Sequence, residues 1–221
     1  MSAPLRISAT MLESFRLWMT EDWMKEEDLI AKIKGEFAWT PAMRLGTAYH
    51  ACVERPQRAL SGYYEMDGFR FTAEAVESML GKIEPSGLFE VKTTKAILIA
   101  QPVFSEVILV AKCDHIAGAW ISEFKTTLDA FDSEKYMASA QWKLMTWLFD
   151  AAQVTYHVAV LDEDVKRNEI GLKSIESLNV FPYPALEEEC RELVRDFVDY
   201  LHKKNLDAYL RQKPVLAGAA R

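Results

Sequence analysis

Residues 105–127 read Ser-Glu-Val-Ile-Leu-Val-Ala-Lys-Cys-Asp-His-Ile-Ala-Gly-Ala-Trp-Ile-Ser-Glu-Phe-Lys-Thr-Thr. Ser105 to Ile116 is rich in β-formers, and so is Trp120 to Thr126. Ala117-Gly118 gives a tight connection, so the two runs are expected to form an antiparallel hairpin. Such a hairpin brings the carboxylates of Asp114 and Glu123 side by side. Strand alternation puts Glu123 and Lys125 on one face and Phe124 on the opposite, packed face. One face then presents two anions and a cation.

Working outward, Leu88 to Val91, Ala96 to Ile99 and Val154 to Leu161 are further strand candidates. Residues 61–73 read as a short hairpin with Asp67-Gly68 at its turn. Helical spacing is expected from Ser8 to about Lys34, with Ser8 or Thr10 capping the start. A second helix is expected from Pro41 or Arg44 to about Arg58. Leu45, Ala48, Tyr49, Cys52 and Val53 form its apolar stripe, with His50 beside it. Thr72 to Lys82, Ser133 to Ala152 and Leu186 to about Arg211 complete the helices. Glu187, Glu188 and Glu189 sit in the first turn of the last one, where the helix dipole favours them. The stretch from Asp164 to Val180 fits more than one assignment. The order predicts an α/β fold with a central sheet flanked by helices. It predicts one domain over 1–213 and a flexible tail over 214–221.

Composition narrows the function classes. Half of the 221 residues are hydrophobic and 27% are charged, which suits a folded domain rather than a disordered chain. No apolar run approaches the roughly 20 residues of a membrane helix. Met1 to Arg6 lacks the build of a signal peptide, so a cytoplasmic protein is expected. Cys52, Cys113 and Cys190 are far apart, and their number rules out a four-cysteine iron–sulfur cluster within this chain. They read as reduced, buried thiols. A net charge of −7 is not the footprint of a passive DNA binder. No Gly-rich phosphate loop is present, which argues against an ATP-driven motor.

Two carboxylates and a lysine on one strand face suit a hydrolytic metal site. Mg²⁺ prefers carboxylate oxygens and keeps waters for substrate and nucleophile. Lys125 can orient a water or stabilise charge developing on a phosphate. An acidic-x-lysine triplet alone has little value. Glu90-Val91-Lys92-Thr93-Thr94 has the same form as Glu123-Phe124-Lys125-Thr126-Thr127. The second copy is preferred because Asp114 precedes it at hairpin distance and a helix follows.

With Ile7-Ser8-Ala9-Thr10-Met11-Leu12-Glu13-Ser14-Phe15, Gly46-Thr47-Ala48-Tyr49-His50, Asp114, Glu123-Phe124-Lys125 and Gln141 in this order, the chain resembles the PD-(D/E)xK nuclease superfamily. More narrowly it resembles the RecB-like and phage exonuclease branch. The resemblance spans residues 7 to about 161. It implies a restriction-endonuclease-like core with a mixed central sheet, and a Mg²⁺- or Mn²⁺-dependent deoxyribonuclease using one or two ions. It implies that Asp114, Glu123, the Phe124 backbone carbonyl and His50 hold metal, with Glu90 as a further acidic support. Lys125 becomes the catalytic lysine, and Gln141 organises the site or contacts substrate. Ala111, Cys113 and Met145 depart from the glycine, proline and aromatic residue common in that branch. The cysteines of its iron–sulfur members are absent.

The implied activity is an exonuclease processing DNA ends in phage-type recombination or repair. DNA is the implied partner, with a single-strand annealing protein and a homo-oligomer as analogies. The alternative is a nuclease-fold module that binds DNA or protein without cleaving. His115 is expected to point away from Asp114 and to be structural, and His157 and His202 have no evident partners. Trp18, Trp23, Phe37 and Trp39 could stack on unpaired bases, but their spacing favours the core. Lys32, Lys34, Lys203 and Lys204 read as solvated surface.

Overall fold

The computed structural model describes residues 3–55, 62–100, 105–164 and 169–211. The elements open with strand β1 (Leu5–Ser8) and helices α1 (Ala9–Thr20), α2 (Glu26–Lys34) and α3 (Pro41–Glu54). Strands β2 (Tyr63–Met66) and β3 (Phe69–Thr72) form the expected hairpin, followed by α4 (Ala73–Leu80). Next come β4 (Leu88–Ile99), β5 (Ser105–Ala117) and β6 (Trp120–Thr127). Helices α5 (Ser133–Met137) and α6 (Ala140–Phe149) lead to β7 (Gln153–Asp164) and β8 (Glu169–Val180). Helices α7 (Leu186–Lys204) and α8 (Asp207–Leu210) close the described chain. The tail expected over 214–221 lies outside the described residues, as does the expected continuation of α3 to Arg58.

Several helix starts are written in side-chain oxygens. Ser8, Thr40, Thr72, Asp132 and Ser139 each accept a backbone N–H in the first turn that follows them. Pro41 in the first turn of α3 costs no helical hydrogen bond there.

Ser8 caps α1 as expected, but the single helix expected to run on to Lys34 is two, α1 and α2, broken over residues 21–25. Leu5 and Ile7 are buried in alternation, and Ser8 both ends β1 and caps α1. The helix from Ser133 to Ala152 breaks at Ala138, where Ser139 starts a new one. The two short strands between Leu88 and Ile99 are one, because Lys92 to Lys95 keep their pairing with β5. Within the Asp164–Val180 stretch, Glu169–Val180 is the strand β8, antiparallel to β7, and 165–168 lie outside the described residues. Asn205, in the left-handed region at φ 57°, ends α7 before Arg211.

The eight strands form one mixed sheet in the order β1-β5-β6-β7-β8-β3-β2, with β4 also on β5. β4 pairs antiparallel along most of β5. On its other side β5 has two successive neighbours. β1 runs parallel to it over Val107–Val110, and β6 runs antiparallel to it over His115–Ala117. β6 then continues as the parallel partner of β7. Asp114 lies just beyond the point where the β5–β6 ladder ends. The strands splay apart there.

Two apolar clusters cover the sheet. The larger unites β1, α1, α2, α6 and α7 and takes Cys113, Ile121 and Tyr156 from the strands. The smaller unites α3, α4, β2 and β3 and takes Phe124, Ala159 and Leu161. In a regular strand, residues i and i+2 share a face. Here Val91 joins the larger cluster while Phe89 joins the smaller one. Between them Glu90 has φ 57°, a left-handed conformation rare for a non-glycine residue. The pleat therefore switches at Glu90, across from Asp114. The three cysteines are free and buried, as expected.

Candidate active site

α3, β5 and β6 bring the main groups together. His50 and Glu54 are four residues apart on α3, one turn above each other. Their ligand atoms and that of Asp114 all lie within 4.8 Å of one another. His50 Nδ1 is 3.5 Å from Asp114 Oδ1 and 3.9 Å from Glu54 Oε1. Gly46 allows this approach, because a Cβ there would stand 3.3 Å from Thr126 Oγ1 of β6. The three groups line a cleft of about 500 Å³ that also takes Trp39, Glu90, Lys112 and Lys125.

Where β5 and β6 splay, side chains replace the missing backbone ladder. The Asp114 N–H donates to Glu123 Oε1 at 3.1 Å, and the Phe124 N–H donates to Asp114 Oδ2 at 2.8 Å. In an extended strand a residue's N–H and C=O face the same neighbour. The Phe124 carbonyl therefore also faces the Asp114 side.

Glu123 is almost wholly buried, at 1% exposure. Its Oε2 accepts from Lys125 Nζ and from Gln141 Nε2, both at 3.1 Å. Burial and then the Asp114 charge push its carboxyl up to about 7. Glu54 is likewise raised to about 7, by burial and then by Glu90. Burial opposes the charged form of Asp114, but His50 outweighs it and holds that carboxyl below its usual range. Burial also opposes the His50 cation, and Asp114 raises it overall. Lys125, against the Tyr156 ring, is raised despite burial because Glu123 and Asp114 face it.

His50, Asp114, Lys125 and Glu90 thus share one cleft, with Glu123 and Gln141 directly behind it. Glu90 lies at the wall, held by Lys112 Nζ at 2.6 Å. Among the described residues, Glu123 is not part of the three-residue ligand cluster; Glu54 is. Glu54 was not foreseen, though its i,i+4 spacing from His50 is a usable signal. Glu13, within the Ile7–Phe15 segment, carries no ligand role but a structural one. Its Oε2 accepts the Ala140 N–H at 2.6 Å, so α1 tethers the start of the Gln141 helix.

The other histidines have structural partners. His115 Nε2 lies 3.0 Å from the Glu84 carbonyl oxygen, and its ring packs on Phe89. His157 Nδ1 meets Ser177 Oγ at 2.9 Å, and His202 Nδ1 meets Asp207 at 2.6 Å. The aromatic expectation fails in part. Trp18 packs against the core, but Trp23 and Trp39 are 65% and 56% exposed and Phe37 is 37% exposed. Phe37 and Trp39 lie in the loop after Gly35, outside any helix that could turn them inward. Lys203 and Lys204 pair with Asp199 and Glu26 at the surface.

The donor set fits a hard divalent cation. Two carboxylates and an imidazole converge, and Glu54 is held off its charged form by burial and then by the repulsion of Glu90. A cation relieves that repulsion.

No family model and no curated protein matches the chain in sequence. The fold is similar to that of the protein SSO0001, with a TM-score of 0.51 at 16% identity over 90% of this chain and 78% of that one. An alkaline exonuclease from Laribacter hongkongensis aligns with a TM-score of 0.42 at 11% identity, over 90% of this chain and 89% of that one. A phage-related exonuclease from Haemophilus somnus aligns at 0.38 and 12% identity, over 91% and 97%.

Proposed function

We propose that this chain is a divalent-metal-dependent nuclease acting on DNA, and that it removes nucleotides from DNA ends. The observation that carries the reading is the convergence of His50, Glu54 and Asp114 within 4.8 Å in the cleft that Lys125 also lines. Asp114, His50 and Glu54 would hold Mg²⁺ or Mn²⁺, with the Phe124 carbonyl facing the same side and Glu90 at the wall. A bound cation supplies charge stabilisation for the phosphodiester and acidifies a water.

The chain's own residues do the rest. Lys125 stays an ammonium, because Glu123 and Asp114 outweigh its burial. It therefore acts as a donor to a phosphate oxygen or to the attacking water, not as a base. Glu123 fixes Lys125 in place, and Gln141 fixes Glu123 from the other side. Tyr156 and Phe124 keep the base of the site dry.

The test is degradation of end-labelled linear DNA in Mg²⁺, beside a covalently closed circle. Linear DNA should be shortened and the circle spared. Lys125→Ala and Asp114→Asn should each reduce the rate by about 100-fold or more. Degradation that persists unchanged in both variants would falsify the site assignment.

A further inference from the structure

Trp39 is an exposed indole placed at the mouth of the candidate site. It is 56% exposed, and its ring lies 6.0 Å from that of Phe37, which is 37% exposed. It lines the cleft of His50, Glu54 and Asp114, and also an adjoining pocket formed with Arg44, Thr47 and Asp67. Two neighbouring aromatic rings left in water are costly unless something covers them. Arg44 lines the same adjoining pocket as the Trp39 ring. A cationic side chain beside a bare aromatic face is the pairing that single-stranded nucleic acid uses. The base stacks, and the phosphate meets the charge.

We propose that Trp39, flanked by Phe37, is the stacking platform for an unpaired base of the strand whose phosphate lies at the His50–Glu54–Asp114 cluster. This inference rests on the nuclease reading and narrows its substrate to single-stranded DNA or frayed ends. A base within a closed duplex has both faces occupied by its neighbours and offers none to an indole. Trp39 and the His50–Glu54–Asp114 cluster line one cleft of about 500 Å³, and Arg44 and Thr47 lie on α3 between Trp39 and His50 in the chain.

The test is fluorescence anisotropy of a labelled oligothymidylate, with Ca²⁺ replacing Mg²⁺. A covalently closed, fully paired duplex minicircle is the second probe. Trp39→Ala should weaken binding of the single strand about tenfold, and Trp39→Phe should restore most of it. Trp23→Ala, an equally exposed tryptophan away from the cleft, should bind as wild type. The closed duplex should respond to Trp39→Ala by less than about twofold. If Trp39→Ala binds the single strand as tightly as wild type while Mg²⁺-dependent degradation stands, the platform is wrong and the nuclease reading survives. If binding depends on Trp39 but no DNA is degraded, the platform stands and the nuclease reading fails. If Trp39→Ala only abolishes a dimer seen by sedimentation, the patch is a self-contact and the platform is wrong.

Discussion

At the scale of single residues, Glu123 does more than a ligand would. It accepts from the Asp114 amide, the Lys125 ammonium and the Gln141 amide. Gln141→Ala removes one of these donors and leaves the α3 ligands untouched. We expect activity to fall about 10- to 100-fold, with the melting temperature nearly unchanged, measured by turnover and thermal denaturation. Gly87 makes a separate prediction. A Cβ there would stand 2.1 Å from the His115 ring and 2.8 Å from the Ile116 carbonyl oxygen. Gly87→Ala should cost about 1–3 kcal/mol in urea denaturation, and His115→Ala should recover part of the loss. The residues themselves were unevenly legible. His50, Asp114 and Lys125 followed from motif order. Glu54 lies one helical turn from His50, yet nothing in the sequence says that a β-strand carboxylate arrives beside it. Trp39 was read by spacing as core, whereas its exposure depends on a loop that spacing does not describe.

At the scale of elements, α3 is the part whose position decides the site. It carries two of the three clustered ligand groups, and Gly46 sets how closely it approaches β6. Gly46→Val adds bulk where only 3.3 Å separates a Cβ from Thr126 Oγ1. The expected outcome is a folded protein with weakened Mn²⁺ binding in calorimetry, because α3 moves His50 and Glu54 away from Asp114. Strand candidates and the β5–β6 hairpin were readable from alternation and from the glycine at the turn. Helix breaks were not. Ser139 lies inside a run that keeps helical spacing on both sides, and the break between α1 and α2 has no side-chain cap at Lys25, so periodicity alone joins what the chain separates. The pleat switch at Glu90 was also hidden. A left-handed glutamate carries no local signature, and the triplet it belongs to has the same form as Glu123-Phe124-Lys125.

At the scale of the whole molecule, the sheet separates two apolar clusters, and the candidate site sits where β5 changes neighbours between them. Among the described residues no helix is long and apolar enough to cross a membrane. Concentrated carboxylates make global stability depend on pH and on metal together. Glu54 and Glu123 are both raised from 4.5 to about 7. Their stabilising contribution is fully present below 4.5 and is gone once pH has risen through about 7. His50, also raised, works in the same direction. His157 and His115, both lowered by burial, oppose it below about 6.5 but are outweighed by the two carboxyls and His50, and the lowered Asp114 destabilises only as pH falls into the acid range. Metal-free protein should therefore melt at a lower temperature at pH 8 than at pH 6. Added Mg²⁺ should raise the melting temperature more at pH 8 than at pH 6. Scans in EDTA and in Mg²⁺ at both values check this.

The splayed seam between β5 and β6 has a spectroscopic consequence. The amides of Asp114 and Phe124 donate to carboxylates where most strand amides donate to carbonyls. A cation drawing density from those carboxylates must change the shielding of the two amide protons. In a nitrogen–proton correlation spectrum, these two resonances become built-in reporters of site occupancy, readable without substrate and without an attached dye.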